Sequence, residues 1–207
     1  MEISYKILKP ETKVVVFDLD GTLYAKHGVV RHMMCGALLE WRMMLIERKT
    51  RKQLRGLWLG DKKTFYQTYF QTMSNGRIFS SDYAKWWYKT RYMPLMVKVI
   101  KRHYEPAPWV RPFVQQCKDL GVRLVVLSDY GHTKEKLEAL GLDLSLFDWV
   151  VSAPELGGLK PAPQLMASVT ARMGVLPHQC LVIGDRMDTD GALAKSVDAP
   201  FYLVTQE

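Results

Sequence analysis

The stretch Val14–Tyr24, VVVFDLDGTLY, constrains this chain more than any other. Val14, Val15, Val16 and Phe17 form an apolar, largely β-branched run of strand length, which reads as a short buried strand. Asp18 and Asp20 follow with one apolar residue between them. In extended chain, residues i and i+2 point the same way, so both carboxylates leave the strand end on one side. Gly21 and Thr22 then turn the chain. Two like charges held so close are costly unless a cation sits between them or one stays protonated. A polar turn would also account for DLDG taken alone; the residues further along argue for a metal or an acid/base pair.

From Pro106 onward strands and helices alternate. Val110–Leu120 reads as a helix ended by Gly121, and Arg123–Leu127 as a buried strand that stops at Ser128-Asp129. A helix over Lys134–Leu140 follows, then a strand at Trp149–Ser152 and a helix over Pro163–Met173. Leu181–Ile183 is a fourth strand ending at Gly184-Asp185, Gly191–Ser196 a short helix, and Phe201–Val204 a fifth strand. This alternation predicts an α/β fold: a Rossmann-like parallel sheet flanked by helices, with right-handed crossovers.

Residues 25–105 break the pattern. Apolar groups recur at helical spacing from about Arg31 to Arg51, with Met33, Met34, Leu38, Trp41 and Leu45 on one side. A second helix is expected over Lys62–Met73, stopped by Ser74-Asn75-Gly76. A third starts near Ser80 or Ser81 and runs to about His103, kinked or split by Pro94. The expected organisation is therefore an α/β body of residues 1–24 and 106–207, with an all-helical insert between. Residues 1–13 remain either an edge strand or a loose tail. The insert holds seven of the eleven methionines and four of the six tryptophans, a composition that serves a core or lines a substrate slot. Trp86, Trp87 and Tyr88 are consecutive, so at least one must leave the core.

Charge is as uneven as structure. The net charge is +8, yet residues 25–105 carry 17 Lys and Arg against 5 Asp and Glu, so the body is mildly acidic. That asymmetry asks for an anionic partner near the insert. The hydrophobic fraction of 48% fits a packed globular protein. No apolar run reaches membrane-span length, the N-terminus lacks a signal pattern, and Cys35, Cys117 and Cys180 form no CxxC, so a cytoplasmic protein without a membrane partner is expected.

In open parallel sheets the working site lies at the carboxyl ends of the strands. Asp18 and Asp20, Ser128 and Asp129, and Asp185 stand at such ends; Asp188 and Asp190 follow in the last of these loops, and Lys160 sits in GGLKPAP after the third strand. Carboxylates for a hard cation, a hydroxyl and a lysine suit phosphoryl transfer, in which Mg²⁺ is bound by one or two carboxylates and substrate oxygens. An aspartate can take the phosphoryl group, and a second carboxylate two residues on can protonate the leaving oxygen and then activate water.

DLDGT at 18–22, the LSD hydroxyl at Ser128, the LKP lysine at Lys160 and GDRMDTD at 184–190 occur in one order, and with them the chain resembles the haloacid dehalogenase superfamily over essentially its whole length. The resemblance implies a Mg²⁺-dependent phosphomonoester hydrolase acting through an aspartyl-phosphate on a small anionic ester. Asp18 would be the nucleophile and a metal ligand, and Asp20 the general acid/base with its backbone carbonyl on the metal. Ser128 would bind the phosphoryl group, Lys160 would neutralise charge, and Asp185 would complete the metal site with Asp190, preferred over Asp188. Gly21 and Thr22 would border the phosphoryl group. Asp129 is a substrate-side candidate expected mainly to stabilise its loop. The insert would be the family's movable cap, with Arg31 and His32 nearest the site and Arg42, Lys62, Lys63, Arg77 and Arg91 as further cationic candidates. Two alternatives stand beside this: a phosphoglucomutase-like phosphoryl transferase on the same fold, or a regulatory or nucleic-acid-binding module using the basic insert. The insert lacks a nucleic-acid-binding motif, and dehalogenation is disfavoured because Asp20 supplies the acid/base that ester cleavage needs.

Overall fold

A computed structural model of the chain describes residues 7–36 and 40–205. Five strands, β1 (Val14–Phe17), β2 (Arg123–Ser128), β3 (Trp149–Ser152), β4 (Cys180–Gly184) and β5 (Phe201–Leu203), form one sheet in the order β3-β2-β1-β4-β5. Every neighbouring pair is parallel. β1 is central, with Phe17 level with Val126 of β2 and Ile183 of β4. The residues that follow these strands therefore emerge side by side, which brings Asp18, Ser128 and Asp185 to one edge.

Both faces of the sheet are covered, as a parallel sheet requires. Val15, Phe17, Leu124, Val126 and Ile183 point to the face packed by α6 (Val110–Asp119) and α7 (Thr133–Ala139). Val14, Val16, Val125, Leu127 and Val182 point to the other, under α8 (Pro163–Met173) and α9 (Ala192–Lys195). The alternation is the period-2 pleat of a strand buried on both sides.

Between β1 and β2 the chain is helical: α1 (Val29–Gly36), α2 (Trp41–Gln53), α3 (Lys62–Ser74), α4 (Ser81–Trp87) and α5 (Met93–His103). Asp61 and Ser80 cap α3 and α4 by accepting backbone N–H bonds. The apolar cluster on the α6 face continues into these helices.

Two local expectations change, and the break expected at Pro94 takes a particular form. The helical stretch expected over 31–51 is described as two helices, α1 to Gly36 and α2 from Trp41. With the break the one-sided stripe dissolves: Met34, Trp41 and Leu45 are exposed, and α2 buries Met44, Glu47 and Thr50 instead. Leu38 and most of the 1–13 lead-in lie outside the described residues, as does the Cys35 side chain; Cys117 and Cys180 are free and buried. Ahead of Pro94 the helix widens into a π turn, Tyr88–Tyr92, closed by the Met93 N–H on the Tyr88 carbonyl. A proline cannot donate to the preceding turn, and the wider turn absorbs that loss before α5 resumes. Trp86 is the exposed member of its triplet, while Trp87 and Tyr88 are buried. Finally, the helix expected from Gly191 starts as a π turn at Met187–Gly191, which carries Asp190 into the interior rather than onto a helix cap. No described helix is long and apolar enough to cross a membrane.

Candidate active site

Asp18 is the first residue beyond β1, its N–H donated to the Ile183 carbonyl of the neighbouring strand. Its carboxylate is held by two donors: Lys160 Nζ at 2.6 Å on Oδ1 and Thr22 Oγ1 at 3.0 Å on Oδ2. Lys160 also reaches Asp190 Oδ1 at 2.6 Å, so one buried ammonium bridges two buried carboxylates. Burial alone would lower the Lys160 ammonium, but Asp18, Asp190 and Asp129 raise it well above its usual range and keep it charged. Burial pushes the Asp18 carboxyl upward, opposed by Lys160 and reinforced by Asp190 and Asp20.

Asp18, Asp185 and Asp190 each offer an oxygen within 4.8 Å of the others, an acidic group able to hold a metal ion. Asp188 is not part of it; it lies exposed against Arg186 (2.6 Å) and Arg55 (2.6 Å). The site also holds a cationic stand-in. Lys26 Nζ contacts the Asp20 backbone carbonyl at 3.0 Å and Asp185 Oδ2 at 2.5 Å. Its ammonium thus occupies a position bounded by a carbonyl and a carboxylate, the hard oxygen donors that a Mg²⁺ ion takes. Gly21, at φ +107°, completes the cradle: a Cβ there would run into the Asp185 carboxylate and come within 2.6 Å of Lys26 Nζ. The donor set, the stand-in charge and the glycine all fit a small divalent cation.

Asp20 points away from this group. Its carboxylate accepts from Tyr24 OH (2.7 Å), Ser128 Oγ (2.9 Å) and Lys136 Nζ (2.5 Å). Burial would raise the Asp20 carboxyl, but Lys136 and the three hydrogen bonds take it below its usual range. Ser128 is fully buried and accepts from the Tyr130 N–H while donating to Asp20. Asp129 accepts from the backbone N–H of Lys160 at 2.9 Å, a contact that shapes the lysine loop.

The structure thus gathers Asp18, Asp20, Gly21, Thr22, Ser128, Asp129, Lys160, Asp185 and Asp190 around one strand edge. Arg31 is not brought there: it is exposed on α1 and absent from the described lining of the cavity above the carboxylates. Lys62 pairs with Glu155, Arg77 with carbonyls at the end of α3, and Arg91 with Glu40. The cations that do line the cavity with Lys160 are Lys26, Arg48 and Arg186.

Sequence reasoning missed Lys136, Tyr24 and Lys26. Lys136 carried a signal, since it is the charged member of a buried helical stripe shared with Thr133, Leu137 and Leu140. Tyr24 lies four residues from Asp20 in a turn with no regular period. Lys26 reaches the site only because of the path the chain takes after Gly21.

A family model described as haloacid dehalogenase-like hydrolase matches residues 12–198. The chain is 26% identical over 208 residues to a glyceraldehyde 3-phosphate phosphatase of Methanothermobacter thermautotrophicus, covering 94% of this chain and 86% of that protein. It is 35% identical over 86 residues to the human N-acylneuraminate-9-phosphatase, covering 40% of this chain and 34% of that one. In architecture it is similar to a HAD phosphatase from Thermococcus onnurineus, with a TM-score of 0.63 at 17% identity, over 95% of this chain and 87% of that one. An L-2-haloacid dehalogenase from Xanthobacter autotrophicus gives a TM-score of 0.62 at 19% identity, over 95% and 78%. At such identities these two structures speak for the fold alone.

Proposed function

The chain belongs to the haloacid dehalogenase-like hydrolase family and is a phosphatase of it, and from that premise we propose that it cleaves small anionic phosphate monoesters through an aspartyl-phosphate on Asp18, with Mg²⁺. The observation that carries the reading is the Asp18 carboxylate, fixed at the end of the central strand by Lys160 and Thr22 with Asp185 and Asp190 beside it.

In the proposed reaction an Asp18 oxygen bonds to phosphorus as the bond to the leaving oxygen breaks; Asp20, ionised beside Lys136 in the free protein, takes the proton carried by the ester monoanion and passes it to that oxygen. Water then attacks phosphorus, its proton passes to Asp20, and the Asp18–phosphorus bond breaks. Lys160 stays charged throughout and offsets the negative charge gathered between Asp18 and the phosphoryl group. Thr22 fixes the orientation of the nucleophile. Ser128 serves the phosphoryl group by turning its hydroxyl from Asp20, an exchange that also frees Asp20 to face the leaving oxygen. Mg²⁺, held by Asp18, Asp185, Asp190 and the Asp20 carbonyl, would supply the charge neutralisation that lets a phosphate dianion approach carboxylates. Residues 25–105 act as the cap over residues 1–24 and 106–207, excluding water and contacting the organic part of the ester.

Phosphate release from a panel of small esters, with Mg²⁺ and with a chelator, tests this against Asp18→Asn. The variant keeps the side-chain volume and is expected to lose roughly three orders of magnitude or more in turnover. A hydroxylamine-sensitive phosphoryl adduct on Asp18 should form in the parent protein. Unchanged turnover in the variant ends the reading.

A further inference from the structure

The cavity of about 420 Å³ over the carboxylates has two unlike halves. Its floor is ionic, built from Asp18, Lys160, Asp185 and Asp190. Its wall, among the described residues, is apolar: Met33 and Met34 of α1, Trp41, Met44 and Leu45 of α2, and Met96 of α5. Glu47 and Tyr24, polar groups set into that wall, are already engaged. Glu47 accepts from Arg51, Tyr69 at 2.7 Å and Tyr92 at 3.2 Å, and Tyr24 donates to Asp20. Arg48 brings a positive charge to the wall from α2 beside the engaged Glu47.

A polyol phosphate in this cavity would press its hydroxyls against methionine and indole and lose their hydrogen bonds to water without replacement. An apolar organic group loses nothing there and gains by leaving water. Methionines, unbranched and polarisable, shape themselves to such a group better than branched side chains do. The apolar wall also runs outward: Met34, Trp41 and Leu45 are 39%, 42% and 54% exposed, a surface lip that no described residue covers. It is continuous with the phosphoryl floor, so a single molecule can cover it with its phosphate on Asp18.

We propose that the substrate is a phosphate monoester whose organic part is apolar, alkyl, isoprenyl or aryl, rather than a polyhydroxylated one. This rests on the phosphatase reading above. The test is kcat/KM over n-alkyl phosphates from ethyl to octyl, kept below micelle-forming concentrations, with naphthyl phosphate, glycerol 3-phosphate and glucose 6-phosphate beside them. Each methylene that enters the cavity should raise kcat/KM by about fourfold until the wall is filled, and naphthyl phosphate should exceed both polyol esters. Met34→Gln with Leu45→Gln alters two exposed side chains, so folding is not at stake, and should cut the gain per methylene to under about twofold. A flat alkyl series, polyol esters cleaved faster than octyl phosphate, or an unchanged slope in the double variant overturns the proposal and leaves the phosphatase reading standing. Release from no ester at all overturns both.

Discussion

Lys136 and Asp20 form a pair with no margin: the lysine is fully buried and its ammonium has Asp20 Oδ2 at 2.5 Å as its hydrogen-bond partner. Burial pulls the Lys136 ammonium below its usual range and Asp20 pulls it back. Removing one partner strands the other charge inside, so Lys136→Met is expected to cost about 3–5 kcal/mol of stability. Asp20→Asn with Lys136→Met should cost clearly less than the two single changes summed, and denaturant unfolding of all four proteins measures that coupling. Lys26 belongs to the opposite regime. Its side chain is 42% exposed and its ion pair with Asp185 has to give way before a cation can take those oxygens. Lys26→Met should therefore tighten Mg²⁺ binding by up to about fivefold, read by calorimetric titration of the metal alone; weaker binding would mean that the lysine assists the metal. These residues also mark where the sequence was legible. Asp18 and Asp185 stood at strand ends, Lys160 and Asp190 in the loops that follow, all in motifs with fixed spacing, and the structure gathers them. Lys136 and Lys26 had no such address, because their roles depend on where a helix docks and how a loop returns.

At the scale of elements, the five strands and the helices after Pro106 were legible to within a residue or two, since each alternates cleanly and is closed by glycine or a polar strand end. The insert was less so: its helices bury mixed faces, and the period that reads as continuous over 31–51 divides between α1 and α2. One of its seams pairs two imidazoles. His32 of α1 stacks on His103 of α5 with ring centroids 4.2 Å apart, and His32 Nδ1 lies 3.1 Å from Tyr104 OH. Desolvation first, then His32 and Arg102, hold His103 below the usual histidine range. The folded protein thus takes up this proton less readily than the unfolded chain. Stability from this group is complete above the unfolded value of about 6.5 and is lost as pH falls through the lowered folded one. Melting temperature should accordingly drop between about pH 7.5 and pH 5.5, and His103→Gln should drop less over the same interval. A parallel fall in both proteins removes the seam as the cause.

Over the whole molecule, the insert meets the body where α5 packs on α7, through Arg51 on the Asp129 carbonyl, and at two backbone-bonded junctions. One junction is covalent, where the chain leaves and returns: the Ala107 N–H donates to the Leu23 carbonyl at 2.8 Å and Tyr104 OH to the His27 carbonyl at 2.8 Å. The other is a clasp. The loop between α2 and α3 lies against the Lys160 loop, with the Leu59 N–H on the Gly157 carbonyl (2.7 Å), the Leu159 N–H on the Leu57 carbonyl (3.1 Å) and the Gly56 N–H on the carbonyl of Lys160 itself (3.3 Å). Trp58 Nε1 adds a bond to the Leu156 carbonyl at 2.9 Å. The flanking pairs, Arg55 with Asp188 and Lys62 with Glu155, are solvent-exposed and each worth at most about 1 kcal/mol. Backbone bonds therefore hold the clasp, and their removal needs a steric change rather than a charge change. Gly158 offers one: a Cβ there would stand 2.7 Å from the Leu57 carbonyl oxygen and 3.2 Å from Trp58 Cα. The collision falls on the insert's loop, and overpacking of this kind costs about 1–3 kcal/mol. Gly158→Ala should then lower the hydrogen-exchange protection of the Leu59 and Leu159 amides by roughly tenfold to a hundredfold, while Val16, Val125 and Val182 in the sheet keep theirs. If the insert must stay seated to exclude water, KM rises in the same variant and Arg55→Ala leaves it nearly unchanged. Equal loss of protection in the sheet would mean that the two junctions do not open separately, and that the insert and the body form one cooperative unit.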